Sequence, residues 1–254
     1  MINELIVTKL LTDKEVSNLE GTWIDESFIK HPIINKDTDI YYLDENKNKI
    51  LLCKFRKNVI SDDLINIAWD SYKKLAKPSR GRGAAAGPIN TESIYWKQRE
   101  LVDTVKWWTK YINKKGKKSK MKVNNQVLST PIGFYESINS YTKLPCRLTH
   151  YSRAFFDEYQ KGFPFLERID NLFKELTPDR YDKQFKRASE QPKYQISNTS
   201  FSTVTINRNF RTALHKDGND FKDGFGNLTV IEKGKYHGTI TSNARNTPHN
   251  FERR

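Results

Sequence analysis

The hydrophobic pattern of this chain changes its period near Ser200. Over residues 151–190, apolar side chains recur at every third or fourth position, and FPFLERIDNLFKEL places Phe165, Ile169 and Phe173 on one face, which is typical of amphipathic helices. After Ser200, the runs SFSTVTIN, RTALH and GNLTVIE alternate or are rich in β-branched residues, which is typical of strands. A chain with both patterns packs helices against a sheet, so the sequence predicts an α+β fold.

The first half of the chain predicts a smaller set of strands and helices. ELIVTKLL is strand-like, and IYYLD and KILLCKF flank the turn-forming ENKNK, which predicts an antiparallel hairpin. Ser61 precedes two aspartates and an apolar helical repeat, which predicts a helix over residues 62–75. A second helix is predicted from Glu92 to Tyr111.

Composition excludes several classes of protein. No apolar run reaches the length of about 18 residues that a transmembrane helix needs. The N-terminus MINELIVTKLLTDKE lacks the features of a signal peptide. Cys53 and Cys146 are the only cysteines and lie far apart, which excludes a disulfide scaffold or a zinc ribbon. We therefore expect a soluble, intracellular protein.

Positive charge is concentrated in one segment. The net charge is +14, and Thr104 to Lys122 contains lysines and no acidic residue. Because like charges repel, this segment is predicted to be a solvated loop, and the Trp and Tyr residues that lead into it would favour stacking on bases. The alternatives are a nucleic-acid-binding loop and a merely solubilising one. The lysines predicted to bind nucleic acid are Lys114, Lys115, Lys117, Lys118, Lys120 and Lys122.

The stretch SRGRGAAAGPIN, residues 79–90, is rich in small residues. It lacks the G-x-x-x-x-G-K-[ST] pattern, which excludes a P-loop. Its glycines would let the backbone approach an anion closely, but we expect a mobile connection between two helices.

His215 and Asp217 form an H-x-D pair at the end of a strand-like run. Residues two apart in a strand point to the same side, so the imidazole and the carboxylate can converge on one metal ion. A polar turn is the alternative interpretation of this sequence. The following DGNDFKDG does not have the spacing of an EF-hand calcium loop.

The segment Phe201–Gly238 resembles the Fe(II)- and 2-oxoglutarate-dependent dioxygenases of the TET and J-binding-protein type, which hydroxylate thymine or 5-methylcytosine. The resemblance lies in N-x-N-F-R-T-A-x-H-x-D followed by G-F-G-N-L. SRGRGAAAGPI and NQVLST…PCRLT are similar to segments of viral and phage relatives of this group.

The resemblance implies an incomplete double-stranded β-helix, or jelly-roll, core within an α+β domain. It implies a single dioxygenase-like domain over residues 1–254, in which residues 1–125 are a framework and residues 126–254 carry helices and the β core. Fe(II) and 2-oxoglutarate are the implied cofactors, and His215 and Asp217 are the implied metal ligands. The implied substrate is a methyl group on a nucleic acid base, with DNA favoured.

The resemblance also implies a distal His ligand and an Arg that binds 2-oxoglutarate. After KYHG the chain continues directly with TITSNARNTPHNFERR, without the further strands of the family. The candidates for these two roles remain open. The third metal ligand would be His249 or His237; alternatively, after a deletion, Ala244 or Arg245 would stand where the family has this His. Arg254 or Arg253 would bind the co-substrate. Arg211 would contact substrate or co-substrate.

Two functions are therefore compatible with the sequence. One is an oxygenase that hydroxylates a base. The other is a catalytically incomplete, dioxygenase-like fragment that binds nucleic acid through its basic surface.

Overall fold

The computed structural model describes residues 2–25, 33–136, 144–217 and 220–232. These residues combine helices with mostly antiparallel sheets, which confirms the α+β prediction at this level, and no closed barrel is present among them. None of the helices in these ranges is long and apolar enough to cross a membrane. The helices are α1 (Asp13–Asn18), α2 (Asp62–Tyr72), α3 (Ile94–Lys97), α4 (His150–Ala154), α5 (Phe156–Lys161), α6 (Phe163–Leu176) and α7 (Pro178–Ser189), with 3₁₀ turns at Gly83–Ala86 and Pro192–Tyr194.

The N-terminal sheet contains the predicted hairpin. Strands β2 (Thr38–Leu43) and β3 (Lys49–Phe55) pair antiparallel, and β1 (Asn3–Val7) adds parallel to β2. The Asp44 carboxylate accepts hydrogen bonds from the backbone N–H groups of Asn46 and Asn48, at 2.9 and 2.7 Å, which closes the turn between the two strands.

A second sheet is built around the longest strand. Strand β7 (Val127–Glu136) pairs with the short strands β4 (Pro78–Ser79) and β8 (Cys146–Leu148), and with β9 (Thr203–Asn207). Strand β9 corresponds to the predicted SFSTVTIN strand and runs antiparallel to β7. Two of these partners, β4 and β9, are distant from β7 in sequence, whereas β8 is the next strand along the chain.

The hydrophobic core joins both halves of the chain. Helix α2, from the first half, meets α5, α6 and strand β7 there, and the 62–75 and 151–190 helical predictions are confirmed by α2 and by α4 to α7. The buried cluster consists of Ala68, Tyr72, Leu75, Ile132, Tyr159, Phe165, Leu166 and Ile196.

The helix predicted from Glu92 to Tyr111 is wrong. Only α3 is helical there, and strands β5 (Leu101–Val105) and β6 (Trp108–Tyr111) follow as a hairpin. Val, Thr, Trp and Tyr fill these strands, and such residues favour the pleated surface of a sheet over a helix. The lysine-rich segment 104–122 is consequently not a loop throughout, because it begins inside this hairpin.

Two of the predicted C-terminal strands are also wrong within the described residues. Neither RTALH, at 211–215, nor GNLTVIE, at 226–232, forms a strand. In the first run the backbone bonds to loops rather than to a neighbouring strand. The second lies along a groove lined by β3 and α6, with Ile231 against the core, so its apolar alternation reflects packing on a helix rather than pairing.

The buried carboxylate of Asp170 links α6 to α7 and to Ser200, which precedes β9. Asp170 is 5% exposed. It accepts hydrogen bonds from the Tyr181 hydroxyl at 3.0 Å, the Ser200 backbone N–H at 2.8 Å and the Ser200 hydroxyl at 2.6 Å. Burial, together with the charge of Asp170, raises the pKa of Tyr181 to about 12, so this phenol stays a hydrogen-bond donor at neutral pH.

We expect Asp170→Ala to lower the free energy of unfolding by about 3 kcal/mol, because three buried donors lose their acceptor. Tyr181→Phe removes one donor and should cost about 1 kcal/mol. Denaturant unfolding followed by circular dichroism measures both, with Asp157→Ala on the exposed face of α5 as the control. A loss for Asp170→Ala no larger than that of the control would contradict the role of this network.

Candidate metal centre

The structure brings His215 and Asp217 together. Nδ1 of His215 lies 2.8 Å from the carbonyl oxygen of Ala213. A carbonyl only accepts, so Nδ1 carries the proton and, in the neutral ring, the lone pair is on Nε2. Nε2 lies 3.7 Å from Oδ2 of Asp217. An imidazole nitrogen with a lone pair and a carboxylate oxygen therefore lie side by side, which is the arrangement expected of a candidate H-x-D ligand pair.

The two candidate ligands differ in exposure. The His215 side chain is 9% exposed, whereas that of Asp217 is 51% exposed. Burial, and to a smaller extent the charge of Asp217, raises the pKa of the Asp220 carboxyl, and His215 partly opposes this shift. The pair thus offers one buried and one accessible donor.

No set of three or more His, Cys, Asp or Glu side chains within the described ranges is arranged to hold a metal ion. The candidates for the third ligand, His237 and His249, lie outside the described residues. The same is true of Ala244, Arg245, Arg253 and Arg254. Their roles stay predictions.

Backbone hydrogen bonds from two loops hold the segment that carries His215. The Ala213 N–H donates to the Ala85 carbonyl at 2.9 Å. The Leu214 N–H donates to the Thr22 carbonyl at 3.0 Å, and the Leu214 carbonyl accepts from the Gly21 N–H at 2.7 Å. Three distant parts of the chain meet at this point without forming a strand, which explains why strand periodicity gave the wrong local structure.

The small-residue stretch is an ordered packing element rather than the mobile connection expected. Gly83–Ala86 forms a 3₁₀ turn in which Ala84, Ala85 and Ala86 are buried. Gly87 has φ +72°, and a Cβ there would collide with the Trp23 ring. Small side chains therefore allow Trp23 to approach closely while the Ala85 carbonyl reaches Ala213.

Asn125 fastens this stretch from the other side. Its Nδ2 donates to the carbonyls of Pro88 and Ala86 at 2.6 and 3.0 Å. Its Oδ1 accepts from the Asn90 N–H at 3.0 Å and from Nε1 of Trp96 at 3.1 Å. Sequence reasoning missed this residue, although two adjacent asparagines before a strand-like run were a signal of a turn-fixing position.

Arg211 contacts Trp23 and Ile24, near the N-terminus. Its Nη2 donates to the Ile24 carbonyl at 2.7 Å, and its guanidinium lies 5.3 Å from the centre of the Trp23 ring. These contacts place Arg211 beside the loops that hold His215. A contact of Arg211 with co-substrate stays a prediction.

The six lysines predicted to bind nucleic acid are exposed and lie on or after a defined turn. The Asn113 side chain accepts from the N–H groups of Lys115 and Lys117 at 2.9 and 3.2 Å, and Ile112 pairs with Lys118. Lys118 is ion-paired with Asp103, and Lys122 lies 4.0 Å above the Trp108 ring. The lysine turn, residues 113–122, is therefore anchored on the β5–β6 hairpin.

Residues 130–245 match the family model Tet_JBP, the oxygenase domain of the 2OGFeDO superfamily. This part of the chain is similar to that oxygenase family, which confirms the resemblance stated for Phe201–Gly238.

Individual relatives agree. The chain is 39% identical over 107 residues to the bifunctional helicase and thymine dioxygenase JBP2 of Leishmania infantum, and 40% identical over 108 residues to that of Trypanosoma brucei brucei. It is 33% identical over 106 residues to the thymine dioxygenase JBP1 of Trypanosoma brucei brucei. Each match covers 42% of this chain, 10% of each JBP2 protein and 12% of the JBP1 protein. The chain thus spans about one tenth of the length of these relatives. No solved structure matches it.

We expect Asn125→Ala to release the loop that supports His215. Because it removes several partly buried hydrogen bonds, the free energy of unfolding should fall by about 2–3 kcal/mol, and Fe(II) should bind more weakly although Asn125 is not a ligand. Thermal unfolding and metal titration measure the two effects. Gln126→Ala, at the exposed neighbouring position, is the control. Unchanged stability in Asn125→Ala would contradict the role of this side chain.

Proposed function

We propose that this chain is an Fe(II)- and 2-oxoglutarate-dependent oxygenase that hydroxylates a methyl group on a DNA base, with thymine favoured. The observation that carries the proposal is the pairing of Nε2 of His215 with the Asp217 carboxylate, within a segment that matches an oxygenase family. The thymine dioxygenases among its relatives support thymine as the base.

The donor set fits the metal. A neutral imidazole and a carboxylate are two of the three ligands in the 2-His-1-carboxylate triad that holds non-haem iron and leaves positions open for other ligands. The hydrogen bond from Nδ1 to the Ala213 carbonyl fixes the tautomer that such a ligand needs. We propose His249 as the third ligand, with His237 as the alternative, and Arg254 and Arg211 as residues that contact 2-oxoglutarate.

When bound, iron together with 2-oxoglutarate and O₂ supplies the oxidising power needed to hydroxylate a methyl carbon. The chain's own contribution is to hold and orient. His215 is kept in one ring orientation and largely away from water, and the Asp217 carboxylate is presented from the accessible side of the same site. A base in duplex DNA must leave the stack to reach this site.

We further propose that the whole chain acts as a single oxygenase domain with a partial jelly-roll core. The packing of α2 against α5, α6 and β7 in one core supports a single domain. The antiparallel pairing of β7 with β9, directly before the H-x-D segment, is the part of the sheet that supports the jelly-roll assignment.

The lysine turn is proposed to attract the nucleic acid. Its side chains are exposed, and residues 104–122 contain no acidic residue, so it presents a concentrated positive field to a phosphate backbone.

We expect the anaerobic protein to develop a weak visible charge-transfer absorption when Fe(II) and 2-oxoglutarate are both added, and His215→Ala to lose it. His150→Ala, an exposed histidine on α4, should keep the band. Mass spectrometry of thymine-containing DNA after aerobic reaction then tests for the hydroxylated base. Absence of the band in the unaltered protein, or its survival in His215→Ala, would contradict the proposed metal site.

We expect Lys114→Gln combined with Lys115→Gln to weaken binding of duplex DNA and to flatten its salt dependence by roughly one unit of slope per lysine that contacts a phosphate. Lys183→Gln combined with Lys186→Gln on α7 removes the same charge from another exposed surface and should have little effect. Equal losses in the two double variants would show that net charge alone matters.

A further inference from the structure

We propose that Arg80, Tyr95 and Arg99 form a rigid docking surface for the phosphate backbone of the DNA that carries the target base. This inference rests on the proposed function and identifies a surface that would bind the DNA substrate. It differs from the lysine turn, because its two guanidinium groups share one aromatic ring.

Tyr95 lies next to both guanidinium groups. The Arg99 guanidinium carbon is 3.7 Å from the centre of the Tyr95 ring, and that of Arg80 is 5.0 Å from the same centre. Arg80 also donates a hydrogen bond to the Tyr95 hydroxyl, and Arg99 donates to the Tyr95 carbonyl. Both cations are thus oriented by one residue before any ligand arrives.

The ring itself is fixed by the protein interior. Tyr95 packs edge-on against Trp96, with ring centres 4.5 Å apart. Trp96 is 2% exposed, and its Nε1 donates to Oδ1 of Asn125. Little side-chain entropy remains to be lost when the two guanidinium groups bind an anion, which favours tight binding.

The positive charge of this surface has no acidic partner among the residues that the structure describes. Within the described ranges, no carboxylate forms an ion pair with Arg80 or Arg99, whereas Arg56 pairs with Asp39 at 2.6 Å and Lys97 with Glu92 at 2.8 Å. The next basic residue in the same stretch, Arg82, has a buried Nε without a hydrogen-bond partner. A planar guanidinium without an acidic partner is suited to two-pronged contact with phosphate.

The surface and the candidate metal centre share one loop. Arg80 leads directly into the stretch whose Ala85 carbonyl binds the Ala213 N–H, two residues before His215. The Arg80 carbonyl also accepts a hydrogen bond from the N–H of Asn124, the residue before Asn125. A phosphate held at Arg80 is therefore held at a fixed position relative to the site, as register in a flipped-base complex requires.

The partner is DNA rather than an acidic protein, because the charge continues into the lysine turn. Arg99 is also 5.7 Å from the Tyr111 ring centre at the end of β6, and the lysine turn begins two residues later. The repeated phosphates of a DNA strand can contact several cations at once, whereas a single carboxylate cannot.

The test is fluorescence anisotropy with a short labelled thymine-containing duplex over a series of salt concentrations. We expect Arg80→Ala to weaken binding about three- to tenfold at moderate salt and to reduce the slope of log affinity against log salt by roughly one. Arg99→Lys keeps the charge but loses the planar stacked group, so its affinity should fall as well. Arg153→Ala, an exposed arginine on α4, is the matched control, and thermal unfolding confirms that each variant is folded.

Affinity and salt slope equal to those of Arg153→Ala in both variants would overturn the proposal, as would failure of the unaltered protein to bind the duplex. The charge-transfer measurement without DNA separates this result from the proposed function. If the band is present and the arginine variants bind normally, the oxygenase assignment stands and the docking surface does not. If the band is absent and the arginine variants bind weakly, the docking surface stands and the oxygenase assignment does not.

Discussion

The candidate metal centre depends on the backbone hydrogen bonds that Leu214 and Ala213 make with Thr22, Gly21 and Ala85. Gly21, Thr22 and Ala85 lie outside the segment 130–245 that matches the oxygenase family. The segment that matches the family therefore does not position its H-x-D pair unaided, because residues of the first half of the chain are the hydrogen-bond partners of Ala213 and Leu214, immediately before His215. This dependence gives the first half of the chain a direct part in the geometry of the site.

Acidic and basic residues are used differently across the molecule. Several acids serve the fold: Asp170 is buried under three hydrogen bonds, Asp44 closes a turn, and Asp39 pairs with Arg56. The lysine turn and Arg80, in contrast, lie at the surface. Residues 79–125, which include both, contain twelve basic and three acidic residues and so carry +9 of the chain's net charge of +14. Charge is thus arranged beside the site rather than spread evenly, which suits a polyanionic substrate.

Sequence reasoning succeeded where local pattern and tertiary packing agree. Helices α2 and α6 and strand β9 place the apolar face that their periodicity marks against the core, and the β2–β3 hairpin forms at the turn-rich ENKNK segment. It failed where residues find other partners than a local pattern suggests. The strand-like run 211–215 forms its backbone hydrogen bonds with loops. Strands β5 and β6 replace a predicted helix because their β-branched and aromatic residues pair across a hairpin. The H-x-D pair was predicted from its spacing together with the family resemblance. Asn125 was missed because its partners, at residues 86–96, are distant in sequence, and the Arg80–Tyr95–Arg99 cluster was missed because Arg80 and Tyr95 are 15 positions apart.

The contact between Arg211 and Ile24 spans 187 positions of the chain, and it has a consequence for the order of events in folding. Closing a loop of that length is slow compared with forming helices and hairpins, so contacts of this kind form late. The candidate ligand pair is then brought together only after most of the chain has collapsed, so the proposed metal site would not exist in the early ensemble. Bound metal should therefore slow unfolding while leaving the rate of folding nearly unchanged.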